Sequence, residues 1–283
     1  MRMSSDMNEK TDQEGIRACA PDQMKLGSRL NIIADFIPSG SLLGDIGTDH
    51  AYLPVYLLQK GRIEKAIGVD IHKGPFLSAK KTVSQYQLDD RIEIRFGDGL
   101  KPLIPGEVNT LSIAGMGGAT VLKILQSKPE VLAKVKDLIL QPQGMEANVR
   151  RELIAQGWRI VEEALVEEED QIYRIIHFNR LKGIGFEEVR EIIKTWEDRL
   201  KHSLDDQQDK KILSGFVWMY GPLIMEKREA LLKGLIADDL NNILRIAGQM
   251  QKTGREEARQ KMDRLLKERK ILEVMQAWLF QSD

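Results

Sequence analysis

Three acidic residues each follow a short apolar run: Asp45 in Leu42-Leu43-Gly44-Asp45-Ile46-Gly47, Asp70 in Gly68-Val69-Asp70-Ile71, and Asp98 in Phe96-Gly97-Asp98-Gly99. Runs of this length suit buried parallel strands. Acids at their ends converge on the carboxyl edge of a sheet, where open α/β folds bind ligands. A carboxylate accepts from an ammonium, from paired ribose hydroxyls, or from the exocyclic amine of adenine. These tasks suit Asp45, Asp70 and Asp98 in turn. Gly47 lets the backbone approach a ligand closely, because no Cβ intervenes. The three-glycine pyrophosphate fingerprint of nicotinamide enzymes is absent, which counts against a dinucleotide.

Taken together the acids predict an S-adenosylmethionine site. Its expected contacts are Asp45, Gly47, Thr48 and His50 on the first turn, Asp70 and Ile71 on the second, Gly97, Asp98 and Gly99 on the third, and Ala114 at the end of a fourth apolar run. That run continues as Ile113-Ala114-Gly115-Met116-Gly117-Gly118. Many amino-group methyltransferases carry an Asn/Asp-Pro-Pro-aromatic loop at this point. Here glycines stand instead and expose backbone amides and carbonyls. Leu140-Gln141-Pro142 ends the next run beside it.

The elements that must hold these turns are legible. Strands are expected over Leu42–Ile46, Ala66–Asp70, Arg91–Phe96, Thr110–Ala114 and Asp137–Gln141, with crossover helices over Ala51–Gln59 and Phe76–Tyr86. Repeated strand–helix units imply a parallel sheet with right-handed crossovers. Trp158–Glu167 and Gln171–Phe178 are two β-rich runs with no room for a helix between them. They should pair antiparallel, giving the mixed ending of a class I methyltransferase sheet. Composition shifts near Leu181–Gly185. Beyond it Val189, Ile192, Ile193, Trp196 and Leu200 follow a helical period, as do Leu231, Leu235, Leu240, Ile243, Leu244 and Ala247. Leu265, Leu272, Met275 and Leu279 recur at spacings of seven, three and four, and predict a helical hairpin of antiparallel coiled-coil type. The expected division is a leader over 1–23, a Rossmann-like catalytic domain over 24–181, and an α-helical coiled-coil domain over 182–283.

Composition narrows the classes of function. No apolar run reaches the roughly 20 residues of a membrane helix, so no membrane partner is expected. The only cysteine, Cys19, precedes the catalytic domain, so a reducing cytoplasm is expected and cysteine metal clusters are not. The four histidines show no metal-ligand spacing, and no metal is expected. A formal net charge of −1 means that any nucleic-acid surface must be a local basic patch. The interval 244–270 supplies one, with nine Lys/Arg against four acids; Arg255, Arg259 and Lys261 are its expected RNA contacts. A solvated helical face is the alternative. Lys25 and Arg29, on a first helix, are further expected phosphate contacts.

The chain resembles the bacterial tRNA (adenine-22-N1)-methyltransferases, the TrmK family. The matching stretches are Lys25–Leu30 (KLGSRL), Asp45–Pro54 (DIGTDHAYLP), Gly74–Ala79 (GPFLSA), Gly97–Leu100 (GDGL), Ile113–Gly118 (IAGMGG) and Leu140–Pro142 (LQP). They run across about 25–180; the helical tail matches only in pattern. The resemblance implies methylation of N1 of a D-loop adenine in tRNA by S-adenosylmethionine. By the same resemblance Asp49 accepts from the adenine amine, Tyr52 stacks on the base, and Gly115 and Met116 line its Watson–Crick edge. A monomer is the expected state. The rival readings are a class I methyltransferase of a small molecule or protein, and a non-catalytic RNA-binding protein with a vestigial cofactor fold.

Overall fold

A computed structural model describes residues 23–250 and 256–280. In chain order the elements are α1 (Ser28–Phe36), β1 (Ser41–Ile46), α2 (Tyr52–Gln59), β2 (Ile63–Asp70), α3 (Lys73–Gln85), β3 (Ile92–Phe96), β4 (Thr110–Met116), α4 (Gly118–Gln126), α5 (Pro129–Leu132), β5 (Asp137–Pro142), α6 (Glu146–Ala155), β6 (Arg159–Glu168) and β7 (Gln171–Asn179). Five helices follow: α7 (Phe186–Arg199), α8 (Gln207–Tyr220), α9 (Pro222–Lys227), α10 (Ala230–Met250) and α11 (Glu256–Leu279). The leader, Cys19 and Arg255 lie outside the described residues, apart from Gln23 at the leader's end.

The seven strands form one sheet in the order β3-β2-β1-β4-β5-β7-β6. β1 to β5 are parallel. β7 inserts antiparallel between β5 and β6. Every expected strand is present, with ends extended by one to three residues or trimmed by one. Apolar side chains alternate between two faces. Leu43, Ala66, Ile92 and Ile139 pack under α1, α2 and α3. Ile46, Val69, Leu111, Ile113, Leu138 and Leu140 pack under α4 and α6. Burial on both sides explains why β1, β4 and β5 read as nearly continuous apolar runs, whereas the edge strand β3 alternates. Between β1 and β4 the strand order reverses direction, and a crevice opens at their carboxyl ends.

The helical tail is a packed domain, and its hairpin is one layer of it. Trp196, Leu213, Val217, Tyr220 and Ile224 share a core with Leu232, Ile236, Leu272 and Met275. The same core takes in Leu165 of β6, while Val189 and Trp218 join the sheet's core. Leu265, Leu272, Met275 and Leu279 are buried as their spacing predicts. The expected stripe of α10 holds in part: Ile243 is buried and Leu231, Leu235 and Leu240 are half-buried against the same core, but Leu232 and Ile236 form its centre and Leu244 is 48% exposed. In Leu231-Leu232-Lys233-Gly234-Leu235-Ile236 the paired apolar neighbours share one core, with Leu232 and Ile236 fully buried and Leu231 and Leu235 at its margin.

Polar groups lock the two parts together. Arg150 of α6 and Glu163 of β6 form an ion pair at 2.6 Å with both side chains fully buried. Arg150 also donates to the carbonyls of Trp218 at 2.9 Å, Met219 at 3.1 Å and Tyr220 at 3.5 Å, at the end of α8. Glu163 accepts from the Leu223 N–H at 2.9 Å, in the first turn of α9. The pair thus satisfies the last carbonyls of one helix and a first amide of the next. Ile184, in the connection, forms a bridge with Ile160 of β6.

Candidate active site

A cleft of about 1010 Å³ opens at the carboxyl ends of β1, β2, β3 and β4. All ten expected cofactor residues line it, from Asp45 to Ala114, and so do Asp49, Tyr52, Gly115 and Met116. The acids that lie far apart in sequence therefore meet at one place.

Asp45 is buried, and both its oxygens are engaged. Thr48 Oγ1 donates to Oδ2 at 2.7 Å, and the Ser112 hydroxyl donates to Oδ1 in a short contact. Burial pushes the carboxyl above its ordinary value; the two hydroxyls pull it down, and the Asp70 carboxylate adds to the rise. An ionised carboxylate offers about four acceptor positions, so about two remain for a ligand. Asp45 therefore shapes the Gly47–Thr48 turn as well as facing the cleft. Gly47 adopts φ +74°, and a Cβ there would overlap the Met116 methyl group. A side chain there would have to displace the flexible Met116 tip and adopt a strained left-handed backbone.

Asp70 organises the neighbouring turns. Its Oδ1 accepts from the His72 N–H at 2.8 Å and its Oδ2 from the Asp49 N–H at 3.2 Å. Asp98 sits at the outer rim, its side chain 52% exposed, paired with Lys101 at 2.6 Å. Lys101 and Lys123 also line the cleft, and sequence reasoning missed both, because an isolated lysine carries no spacing signal.

The turn before α2 is unusual. Asp49 (φ 51°) and Ala51 (φ 57°) both adopt left-handed backbone, which costs a non-glycine residue of order 1 kcal/mol or more. The Asp49–Asp70 hydrogen bond and an Ala51 N–H donated to the Thr48 carbonyl at 2.8 Å hold it. The strained turn pushes Asp49, His50 and Tyr52 outward, with side chains 66% and 44% exposed for Asp49 and His50 and Tyr52 42% exposed. The His50 ring stacks on Tyr52 at 5.2 Å between centroids and 17° between planes. One face of Tyr52 is thus covered by His50.

The expected RNA contacts divide. Lys25 and Lys261 are exposed, Lys25 in the segment before α1 and not on the helix as expected. Arg29 is not a free cation: it hydrogen-bonds Gln141 at 3.0 Å and Glu168 at 3.4 Å, and it lines the cleft. In the basic interval Lys267 pairs with Asp206 and with Asp209 at 3.5 Å, and Lys270 pairs with Asp205 at 2.6 Å. Arg264 pairs with Glu268 at 2.8 Å and Arg269 with Glu273 at 2.7 Å. Much of the apparent charge excess therefore anchors α11 to the start of α8 or is spent along α11 itself. Arg259 lies within α11. Among the described residues no cluster of three His, Cys, Asp or Glu side chains could hold a metal ion, and no helix is long and apolar enough to cross a membrane.

Residues 26–176 match a methyltransferase-domain family. The chain belongs to that family. This methyltransferase is 38% identical over 155 residues to the tRNA (adenine(22)-N(1))-methyltransferase of Bacillus subtilis strain 168, a match covering 55% of this chain and 65% of the relative, just under two thirds of its length. Structural likeness extends further. The crystal structure of the B. subtilis m1A22 tRNA methyltransferase TrmK superposes with a TM-score of 0.71 at 29% identity, covering 89% of this chain and 99% of that one. Streptococcus pneumoniae Sp1610, a putative tRNA (m1A22) methyltransferase solved in complex with S-adenosyl-L-methionine, gives 0.64 at 27% identity over 87% and 98%. The superpositions therefore run through the helical domain of this methyltransferase as well as its sheet.

Proposed function

We propose that the protein is a TrmK-type enzyme that transfers a methyl group from S-adenosylmethionine to N1 of adenine 22 in tRNA. One observation carries the reading. The Asp49–Tyr52 turn and the Gly115–Met116 loop face one cleft at the sheet's switch point, in a chain whose superposition covers 99% of the B. subtilis m1A22 enzyme.

The cleft fits the cofactor. Asp70 keeps acceptor positions for the two ribose hydroxyls, and Asp98 stands at the rim for an adenine amine. Asp45, with Gly47, borders the end suited to the ammonium group. When bound, S-adenosylmethionine supplies an activated methyl group on its sulfonium. The N1 lone pair of neutral adenine lies in the ring plane outside the aromatic sextet. It forms the new bond to the methyl carbon as the carbon–sulfur bond breaks and its electron pair returns to sulfur. No proton must leave first, so the protein's work is alignment and water exclusion. Tyr52 offers its free face to the base, and Asp49 stands where its carboxylate can accept from the exocyclic amine and balance the charge that develops on the ring. The Watson–Crick edge must be unpaired to react, so either the D-loop region opens locally or the target base flips out of its stack.

The RNA surface we infer includes exposed Lys25 and Lys261, with Arg255 and Arg259 near the α10–α11 connection, and the reaction belongs in the cytoplasm with its substrate. The test is nucleoside mass spectrometry of unmodified tRNA incubated with protein and S-adenosylmethionine. The expected product is 1-methyladenosine, lost when position 22 is changed to guanosine. Absence of any methylated adenosine would refute the reading.

A further inference from the structure

β4 and β5 pair in register as far as Ala114 and Gln141, and pairing resumes at Met116 and Pro142. Gly115 is thus an extra residue on β4. A bulge of this kind costs a ladder partner and re-aims the residues after it. Gly115 adopts φ +73°, a conformation that glycine alone takes without strain. Its N–H still finds a partner, for it donates to the side-chain Oε1 of Gln141 at 3.0 Å.

The same oxygen accepts from Arg29 Nη1 at 3.0 Å. Gln141 is 1% exposed, out of reach of a macromolecular substrate. Arg29 is itself held on other sides. Its backbone N–H donates to Glu168 Oε1 at 3.1 Å and its Nε to Glu168 Oε2 at 3.4 Å, and the guanidinium lies 5.4 Å from the Tyr173 ring centroid. A chain of contacts therefore runs from the end of β6, through the first turn of α1, to the backbone of the loop beside the reacting atoms.

We propose that Arg29 is a positioning residue, which acts through Gln141 to fix the Gly115 bulge and with it the Met116 side chain that closes over Gly47. The inference rests on the proposed methyl transfer. It replaces the phosphate contact expected of Arg29 from the sequence. The residue types suit the task. An amide oxygen has two lone pairs and accepts from both donors at once. A planar guanidinium reaches a carboxylate with one edge and the amide with another, which a lysine ammonium does not reproduce in a fixed plane.

The test uses the full chain, with Arg29→Met, Gln141→Leu and the double variant. Misplacing the loop by a fraction of an ångström should lower the single-turnover rate, at saturating cofactor and tRNA, by roughly ten- to hundredfold in each single variant. Because both act through one contact, the double variant should fall within about threefold of the slower single. The tRNA affinity and its salt slope should stay at wild-type values. The Met116 methyl signal in ¹³C-methyl NMR, assigned with Met116→Leu, should move in both single variants. A weaker tRNA affinity and a shallower salt slope in Arg29→Met alone would make Arg29 a phosphate contact and overturn the proposal. An unmoved Met116 signal in both would do the same. If the wild type methylates no tRNA, the functional reading fails, and the Met116 signal alone decides the positioning claim.

Discussion

Replacing Arg150 by Met would leave Glu163 inside the protein without its counter-ion. Both side chains are fully buried, so water cannot take over. Removing one partner of such a pair costs about 3–5 kcal/mol, because a charge stays desolvated and unpaired. The carbonyls of Trp218, Met219 and Tyr220 lose their donor as well, which places the expectation toward the upper end. For a chain of this size each kcal/mol lowers the melting temperature by about 2–4 °C, so the fall should be roughly 6–20 °C. Differential scanning calorimetry of the purified variant measures it. Glu163→Gln added to Arg150→Met should recover part of the loss, since the stranded charge is gone while Leu223 keeps an acceptor. A single variant that melts within about 2 °C of wild type would refute the reasoning, as would a double variant less stable than the single.

Asp70→Ala should weaken S-adenosylmethionine binding roughly ten- to hundredfold, the equivalent of a charged hydrogen bond of about 1.5–3 kcal/mol; titration calorimetry reads it directly, and unchanged affinity would remove Asp70 from the cofactor site. Asp49→Ala should slow single-turnover methylation by about 10²–10⁴ with cofactor affinity kept, the pattern of a group used in the transition state. Tyr52→Ala should also slow it, and Tyr52→Phe less, since stacking on the base and on His50 needs the ring alone; equal rates in Tyr52→Ala and wild type would take the ring out of the site. Deleting 182–283 should give a chain that melts well below the full protein or precipitates, because Val189 and Trp218 leave the sheet's core and Arg150 loses its carbonyl partners. A soluble fragment with wild-type stability would show that the sheet folds independently of the helices.

What the sequence showed follows from where chemistry constrains it. An acid at a strand end and a glycine in the next turn are local requirements, so Asp45, Gly47, Asp70 and Asp98 announce themselves without knowledge of the rest. The central strands β1, β4 and β5 are legible for a similar reason, since burial on both faces keeps most of their positions apolar, while the edge strand β3 shows instead as the alternation Ile92-Glu93-Ile94-Arg95. Arg29 is different. Its partners Gln141 and Glu168 lie 112 and 139 residues away, and nothing near position 29 records them. The local sequence shows only a cation on a helix, which reads as a phosphate contact. Two lysines of the basic interval are a similar case: the acids that engage Lys267 and Lys270 are Asp205, Asp206 and Asp209, more than 50 residues away in the chain. Arg150 and Glu163 look like ordinary surface residues, one on a helix and one on a strand, until the helical domain covers them.

The insertion of β7 between β5 and β6 has a consequence in time. A chain leaves the ribosome from its amino end, yet β6 has no partner in the sheet except β7, which follows it. β6 therefore joins the sheet only as half of a hairpin, after residue 179 has emerged. Glu168, at the tip of β6, is also the acceptor that holds the first turn of α1 and the Arg29 side chain. At about 20 residues per second, the roughly 140 residues between Arg29 and Glu168 take about 7 s to make. During that interval the acids of the first three strands are already present, but Arg29 has no carboxylate to hold it. A nascent chain stalled before residue 168 should thus carry the means to recognise a cofactor and lack the means to use it.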